Sequence, residues 1–231
     1  MKYNFEKIIV GSRESKLAKV HIEILKKEFK IKIKHKNPLQ IETKFIKTSG
    51  DKFLDKKISE IGNKGLFTKE IDLAQIKNDL HIGIHSLKDL PTKLLPGLEI
   101  ISVLKREDPR DAVYSEKYKS LGNIKKGAII GTSSIRRKNQ MLNLNADFVI
   151  KDIRGNVDTR INKLRDGKFD AIILASSGLK RLGIKKSYFP LDTNILVPAV
   201  GQGVIALVGN SINKEINKVI KIVNHEQTQI E

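Results

Sequence analysis

Six of the nine arginines in this 231-residue chain lie at, or within the helix that follows, predicted strand-to-helix turns that contain Gly, Ser or Asn, rather than along long charged helix faces. A guanidinium group is a rigid fork of N–H donors that holds a carboxylate through two parallel hydrogen bonds, which a lysine ammonium cannot do. Lysine is the usual cation of this chain, since 44 Lys and Arg less nine Arg leaves 35 Lys. The placement of the arginines therefore indicates a ligand with several carboxylates. The six are Arg13, Arg136, Arg137, Arg154, Arg160 and Arg181.

Each of these turns is predicted to join a strand to a helix. In open α/β sheets, ligands bind beyond the carboxyl ends of the strands, where helix N-termini offer N–H groups and a partial positive charge. Hydroxyl side chains accompany the arginines, namely Ser15, Ser133 and Ser134. The turns are GSRES (11–15), GTSS (131–134), RGN (154–156) and SSGLKR (176–181).

Two simpler explanations compete with an anion site. For any one turn, a helix cap on a solvated basic surface accounts for the residues. Four such turns together favour a polyanion, because exposed ion pairs contribute only about 0 to 1 kcal/mol and clustered guanidinium groups repel one another.

Non-specific nucleic-acid binding is the other alternative, but the chain has no Walker A sequence, no recognisable helix-turn-helix, no Trp and only 5% aromatic residues. We therefore predict no nucleic-acid partner.

The sequence HSLKDLP (85–91) supplies one acidic group in a tight turn after a predicted strand. Asp89 follows Lys88, and a lone carboxylate in a cationic cleft can move a proton or stabilise a developing positive charge. An Asx-turn before the proline explains the same residues equally well. Spacing alone leaves both interpretations open.

Two other patterns are assigned no chemistry. His81 and His85 lie on one face of a predicted strand without an acidic partner at metal-ligand spacing, so both are interpreted as structural and no metal site is predicted. The sequence GQGVIA (201–206) matches G-x-G-x-x-A but lacks a βα context, and it is not a dinucleotide site.

Strands that alternate with helices predict an α/β fold with a parallel sheet in each half of the chain. The polar segment KREDPRD (105–111) is predicted as a domain boundary, and Pro198, Gly201 and Gly203 favour a crossing between domains over a sheet centre. The polar stretch after Thr48, residues 49–65, is predicted to be a mobile loop. The predicted domains are 1–104 with 202–224, then 105–201, with 225–231 as the start of a third.

Composition limits the remaining classes. The chain has no cysteine, which excludes disulfides, thiolate metal sites and thiol nucleophiles within these residues. The formal net charge of +18 suits an anionic partner. Neither a signal peptide nor an apolar run of eighteen residues is present, so we expect a soluble cytoplasmic protein without a membrane partner.

Nine motifs in order make the chain similar to the hydroxymethylbilane synthase (porphobilinogen deaminase) family. The resemblance covers residues 8 to 231. It implies a transferase of tetrapyrrole (porphyrin, heme) biosynthesis that joins four porphobilinogen molecules head to tail, releases ammonia and frees hydroxymethylbilane. The motifs are GSRES, TSGD, GNKGLFTKE, HSLKDLP, REDPRDA, GTSSIRR, RGNVDTR, DAIILASSGLKRLG and PAVGQG.

The resemblance also implies a role for each matching residue and a fold of two domains resembling type II periplasmic binding proteins, joined by crossing hinge strands. Asp89 matches the catalytic aspartate, which hydrogen-bonds pyrrole N–H groups and stabilises the azafulvene cation left when ammonia departs. The residues that match the dipyrromethane cofactor site are Lys88, Ser133, Ser134, Arg136 and Arg137. The residues that match the substrate site are Arg13, Ser15, Arg154, Arg160 and Arg181. A monomer with a lid after Thr48 is expected.

The chain departs from the family pattern at three points. Lys16 replaces a proline, and His21 stands where Gln is common. More important, the family attaches its cofactor through a thioether to a cysteine of a third domain, and this chain has no cysteine. The chain is then expected to be a fragment, a frameshifted product or half of a split enzyme that needs a missing C-terminal segment. The alternative function is a non-catalytic two-domain module that binds carboxylates.

Overall fold

The computed structural model of this protein describes residues 5–33, 39–52 and 65–231. The chain divides into two compact units. Unit 1 comprises residues 1–106 and 204–231, and unit 2 comprises residues 107–203. Most of the loop predicted to act as a lid, residues 53–64, lies outside the described residues. The two boundaries between the units differ by two residues from the predicted ones, and residues 225–231, predicted as the start of a third domain, are grouped with unit 1.

Within the described ranges, ten strands form two five-stranded sheets, one in each unit. The strands are β1 (Lys7–Arg13), β2 (Gln40–Ile46), β3 (Ile82–Ser86), β4 (Leu98–Val103), β5 (Asp111–Tyr114), β6 (Ile129–Gly131), β7 (Val149–Lys151), β8 (Ala171–Ala175), β9 (Tyr188–Pro190) and β10 (Ile205–Asn210).

Most of the described helices follow the predicted alternation with the strands, but the helix at Ser49–Lys52 lies in the stretch 49–65 that was predicted to be a loop, and the helix at Glu226–Ile230 lies where no helix was predicted. Single 3-10 turns lie at Leu87–Asp89, Leu121–Asn123 and Lys221–Val223. No described helix has the length and apolar character needed to cross a lipid bilayer. The helices are α1 (Lys16–Lys32), α2 (Ser49–Lys52), α3 (Lys69–Ile76), α4 (Ile135–Leu144), α5 (Val157–Arg165), α6 (Ser176–Arg181), α7 (Lys214–Ile220) and α8 (Glu226–Ile230).

The sheet of unit 1 has the strand order β2-β1-β3-β10-β4. Strand β1 is parallel to β2 and β3, whereas β10 is antiparallel to both β3 and β4. The prediction of a purely parallel sheet was therefore wrong, because the strand that returns from unit 2 enters the sheet from the opposite direction. The core beneath α1 contains Ile8, Val10, Ile22, Leu25 and Leu207.

The sheet of unit 2 has the strand order β7-β6-β8-β5-β9 and is also mixed. Strand β5 is antiparallel to both β8 and β9. This strand went unpredicted because its four residues, DAVY, directly follow the polar run KREDPR, which masks their apolar character. All four side chains of β5 are buried, so the segment predicted as a boundary leads directly into the centre of a domain.

The last seven residues form hydrogen bonds with the end of β4 and with the segment that follows it, within unit 1. The His225 amide donates to the Val103 carbonyl oxygen at 2.9 Å, and the Arg106 amide donates to Thr228 Oγ1 at 3.0 Å. The guanidinium of Arg106 also pairs with the Glu231 carboxylate at 3.3 Å. The sequence did not predict that this segment packs against the protein, because its buried residue is the polar Thr228 rather than an apolar residue.

Candidate functional site

Arg13, at the carboxyl end of β1, is held by a carboxylate of the same unit. Its guanidinium donates from Nε to Asp51 Oδ2 at 3.2 Å and from a second nitrogen to Oδ1. The guanidinium also lies 4.3 Å above the centre of the Phe67 ring. Burial raises the pKa of Asp51, but hydrogen bonds from Arg13 and Thr48 outweigh it and keep that pKa below its usual value. Asp51 belongs to TSGD, one of the motifs noted above.

Ser15 caps α1 in the way that the simpler sequence explanation predicts. Its hydroxyl oxygen accepts from the Ala18 amide at 3.2 Å, and its backbone has the extended conformation typical of an N-cap. The cap fixes the first helical turn directly after Arg13. Ser15 therefore has a structural function in unit 1 independent of any ligand.

Lys88 and Asp89 lie in the 3-10 turn that follows β3, and both are exposed. The turn is anchored through its backbone, since the Leu87 amide donates to the Val204 carbonyl oxygen at 3.0 Å and the Leu90 amide donates to Leu87. Within the described ranges, the carboxylate of Asp89 makes no hydrogen bond or ion pair. The turn therefore presents an available acidic group on a fixed backbone.

His85 lies four residues before Asp89, buried on β3. Burial, with the nearby charge of Arg13, lowers the pKa of His85 to about 4, so the ring is neutral at pH 7. A Cβ atom on the adjacent Gly83 would lie 2.7 Å from His85 Nε2 and 2.6 Å from Gln75 Oε1. A larger residue at position 83 would therefore require these two side chains to shift.

His81 also has a structural contact. Its Nδ1 accepts a hydrogen bond from the Ile9 amide at 3.0 Å, which requires that nitrogen to be unprotonated. Burial and the charge of Lys44 lower the pKa of His81. Among the residues that the structure describes, no group of three or more His, Cys, Asp or Glu side chains could hold a metal ion.

In unit 2, the GTSS turn connects β6 to α4 through hydroxyl groups. Ser134 caps α4, because its hydroxyl oxygen accepts from the Arg137 amide at 3.4 Å. Ser133 instead exchanges two hydrogen bonds with the backbone of Ile153, at 2.9 and 3.0 Å. The hydroxyl of Ser133 therefore joins the turn to the segment that carries Arg154.

Arg136 and Arg137 meet the same carboxylate, that of Asp111 on β5. Arg137 donates to Asp111 Oδ1 from Nε at 2.9 Å and from Nη2 at 2.6 Å, and to the Ile173 carbonyl oxygen at 3.0 Å. Arg136 Nη2 lies 2.7 Å from Asp111 Oδ2. The Arg137 side chain is only 8% exposed and that of Arg136 is 26% exposed, so Arg136 is the more accessible of the two.

The RGNVDTR segment is fixed by its own arginine. Arg160 Nε donates to the Gly155 carbonyl oxygen at 2.7 Å, and Lys163 Nζ donates to the Arg154 carbonyl oxygen at 3.1 Å. Gly155 has a φ of +111°, a region that favours glycine, and a Cβ there would lie 2.7 Å from Thr159 Cγ2. The loop conformation therefore depends on this glycine.

Arg181, at the end of α6, donates from Nη2 to the Gly203 carbonyl oxygen at 2.7 Å. Burial lowers the pKa of Arg181 to about 10, and the charge of Glu107 partly opposes this effect. The group remains cationic at pH 7. Arg181 thus fixes the segment at which the chain leaves unit 2.

Comparison with known proteins decides the family. Residues 8–218 match the family model described as "porphobilinogen deaminase, dipyromethane cofactor binding domain". The chain is 44% identical over 231 residues to the porphobilinogen deaminase of a Nitratiruptor species, covering 97% of this chain and 71% of that protein. It is 41% identical over 229 residues to that of Aliarcobacter butzleri, covering 98% and 72%.

The chain belongs to the porphobilinogen deaminase family. Solved structures support the expected fold. The methionine-binding protein MetQ is 14% identical with a TM-score of 0.57, over 97% of this chain and 93% of that one. A periplasmic substrate-binding protein of an ABC transporter from Coxiella burnetii is 10% identical with a TM-score of 0.56, over 96% and 94%. The α/β fold resembles that of periplasmic binding proteins.

The residues at the start of α4 fit the dipyrromethane cofactor of the porphobilinogen deaminases in charge and donor type. Arg136 is partly exposed there, and the first-turn amides of a helix have no acceptor within the helix. Both features favour carboxylate groups, which the cofactor carries. The 231 residues supply no thiol for a thioether, because they include no cysteine.

Three residues that organise these groups were not predicted from the sequence. Asp51, Asp111 and Gln202 each bind a predicted ligand-binding arginine, Gln202 through Arg137 Nη2 at 3.5 Å. All three lie in motifs of the porphobilinogen deaminase family, namely TSGD, REDPRDA and PAVGQG. A search for carboxylates within those motifs was the available signal for Asp51 and Asp111, since a buried guanidinium requires a counter-charge, but it would not have found the amide of Gln202.

Proposed function

We propose that this chain supplies the cofactor- and substrate-binding parts of a hydroxymethylbilane synthase. In this function, four porphobilinogen molecules are condensed head to tail with release of ammonia, giving hydroxymethylbilane. The observation that carries the proposal is the exposed carboxylate of Asp89. It lies on an anchored turn of a chain that belongs to the porphobilinogen deaminase family.

Asp89 is proposed to act on the pyrrole rings. A carboxylate accepts hydrogen bonds from pyrrole N–H groups, and its negative charge stabilises the cation that forms when ammonia leaves porphobilinogen. The adjacent Lys88 is proposed to bind a carboxylate of the cofactor. The backbone hydrogen bonds of Leu87 and Leu90 limit the motion of both residues.

The arginines are proposed to bind the carboxylate chains of the pyrroles. Each pyrrole carries two carboxylates, and several guanidinium groups neutralise a charge that grows with each added unit. Ligand carboxylates would add to, or replace, the contacts that these groups make within the protein. Arg13, Ser15, Arg154, Arg160 and Arg181 are proposed for the substrate, and Ser133, Ser134, Arg136 and Arg137 for the cofactor.

Dipyrromethane, when bound, supplies the pyrrole end to which new units are joined. This chain's residues hold and orient its carboxylates, and the cysteine that anchors it must come from another segment. We also propose a cytoplasmic monomer without nucleic-acid or membrane partners, since the absence of cysteine suits a reducing compartment.

Joining this chain to a cysteine-bearing segment tests the proposal. This chain would be joined to the cysteine-bearing C-terminal part of the Nitratiruptor relative, and ammonia release from porphobilinogen would be measured. The fusion is expected to turn over, whereas the 231 residues alone are not. An inactive but folded fusion, together with tight calorimetric binding of porphobilinogen by the 231 residues alone, would support the non-catalytic module instead.

A further inference from the structure

The carboxylate of Asp111 is the most deeply buried charge in the described part of unit 2 that contacts a proposed ligand-binding residue. Asp111 is 0% exposed. Burial raises its pKa, but the charges of Arg137 and Arg136 outweigh that effect and hold the pKa below its usual value. The group is therefore an anion at pH 7, and it has a fixed position at the start of β5.

Stability alone does not account for this arrangement. A buried ion pair is weak evidence for stability, because desolvation of the two charges offsets most of their attraction. One arginine is enough to neutralise one carboxylate. Here two consecutive arginines, about 100° apart on the helix, converge on Asp111 from Nη2 of Arg136 and from Nε and Nη2 of Arg137.

The contacts fix the direction of both guanidinium groups. Arg137 is held on two sides, by Asp111 and by the Ile173 carbonyl oxygen. Arg136 donates to the Val197 carbonyl oxygen, which also accepts from Gln140 Nε2 at 3.2 Å. Its Nη2 also pairs with Asp111 Oδ2 at 2.7 Å, as an ion pair without hydrogen-bond geometry. A side chain with four rotatable bonds is thereby restricted before any ligand arrives, which lowers the entropy lost on binding.

We infer that Asp111 is a positioning residue that orients the guanidinium groups of Arg136 and Arg137 toward the carboxylates of the dipyrromethane cofactor. This inference rests on the proposed function of the α4 turn as a cofactor site. In this inference, the Asp111 carboxylate restricts the side-chain conformations of both arginines without itself contacting the ligand.

Gln202 extends the arrangement to the segment that leaves unit 2. Its Nε2 donates to Asp111 Oδ1 at 3.0 Å and to the Pro109 carbonyl oxygen at 2.6 Å. Residues 109 and 202 lie on the segments by which the chain enters and leaves this unit. The Asp111 carboxylate therefore contacts the arginines and Gln202, and Gln202 in turn joins the two segments through the Pro109 carbonyl oxygen.

The test uses the 231-residue chain and a free dipyrromethane carrying four carboxylates. Asp111→Asn keeps the shape of the side chain and removes its charge. In the parent, the Nε–H proton of Arg137 is expected to exchange slowly with solvent, as seen by ¹⁵N NMR of arginine side chains. In Asp111→Asn, we expect that exchange to accelerate at least tenfold and the calorimetric Kd for the dipyrromethane to rise at least tenfold.

Asp170→Asn is the matched control, since Asp170 is a partly buried carboxylate of unit 2 that pairs with Lys117 at 2.6 Å rather than with an arginine. It is expected to change neither readout. A folded Asp111→Asn variant with parent-like exchange and parent-like affinity overturns the inference. If Asp111→Asn does not fold, Gln202→Met removes one donor to the same carboxylate. The inference then requires faster Arg137 exchange and about threefold weaker binding, and unchanged values overturn it.

The NMR result separates this inference from the proposed function. If the parent does not bind the dipyrromethane but its Arg137 proton is protected only when Asp111 is present, the cofactor site is wrong while the ordering of the arginine stands. If the parent binds and Asp111→Asn binds equally well, the site stands and the positioning role is wrong.

Discussion

Ser133 and Ile153 are joined by two hydrogen bonds between one hydroxyl group and both backbone groups of one residue. The Ser133 hydroxyl donates to the Ile153 carbonyl oxygen at 2.9 Å and accepts from the Ile153 amide at 3.0 Å. The turn that precedes α4 is thus fastened to the residue before Arg154. Both segments contain residues proposed to bind carboxylates, so the Ser133 side chain fixes the position of one binding segment relative to the other.

Replacing Ser133 with alanine is expected to lower the free energy of unfolding by about 1 to 3 kcal/mol, because two backbone groups lose their partner. Urea denaturation measures this change. Ser120→Ala, at an exposed serine of the same unit, is expected to change the free energy by less than about 0.5 kcal/mol. Equal effects of the two substitutions would contradict the role assigned to Ser133.

Gly155→Ala is expected to destabilise the protein by about 1 to 3 kcal/mol, because the residue has a φ of +111° and the new Cβ would lie 2.7 Å from Thr159 Cγ2. Gly122→Ala is the control, since no atom lies within 4 Å of a Cβ at that position. The control is expected to be neutral or to gain up to about 1 kcal/mol. Thermal denaturation of both variants makes the comparison, and a neutral Gly155→Ala would contradict the described loop conformation.

His85 predicts a pH dependence of stability. Its pKa is about 4 in the folded protein and about 6.5 when unfolded, so the unfolded chain binds more protons between these values. The stability due to the neutral ring is therefore complete above about pH 6.5, falls as the pH drops toward 4, and is constant below that.

The expected loss is about 3 kcal/mol for this group, from 1.36 kcal/mol per pKa unit. Carboxylates titrate in part of the same range, so the informative quantity is the difference between the parent and His85→Gln. That difference, from urea denaturation at pH 7, 6, 5 and 4, is expected to shrink as the pH falls. A difference that does not vary with pH would mean that the ring is not buried in its neutral form.

Much of the fold follows from local sequence patterns. The apolar run KIIVGS and the helical stripe after Ser15 predicted β1 and α1, since periodicity reports which face is buried. Sheet direction did not follow from pattern, because a buried strand such as β10 has the same composition whether it runs parallel or antiparallel. Strand β5 was missed because the polar run KREDPR directly precedes its four residues and hides their apolar character.

For the candidate site, the sequence predicted the ligand-binding side chains but not their partners within the protein. Turn composition and the family motifs singled out the arginines, but the sequence could not show that Arg137, Arg160 and Arg181 also hold backbone carbonyl oxygens. Asp111 and Gln202 lie 26 and 65 residues from Arg137, and only the folded chain brings them together. Buried counter-charges of this kind have no signature in local spacing.

The role proposed for Asp89 is tested by turnover of an Asp89→Asn variant. The measured quantity is the rate of ammonia release from porphobilinogen by this chain joined to a cysteine-bearing C-terminal segment. Asp79→Asn, at an exposed aspartate before β3, is the matched control and should retain the parent rate. We expect Asp89→Asn to lower the rate at least about 100-fold with folding unchanged, because the carboxylate that stabilises the developing cation is lost. A folded Asp89→Asn enzyme that releases ammonia at the parent rate would contradict this role.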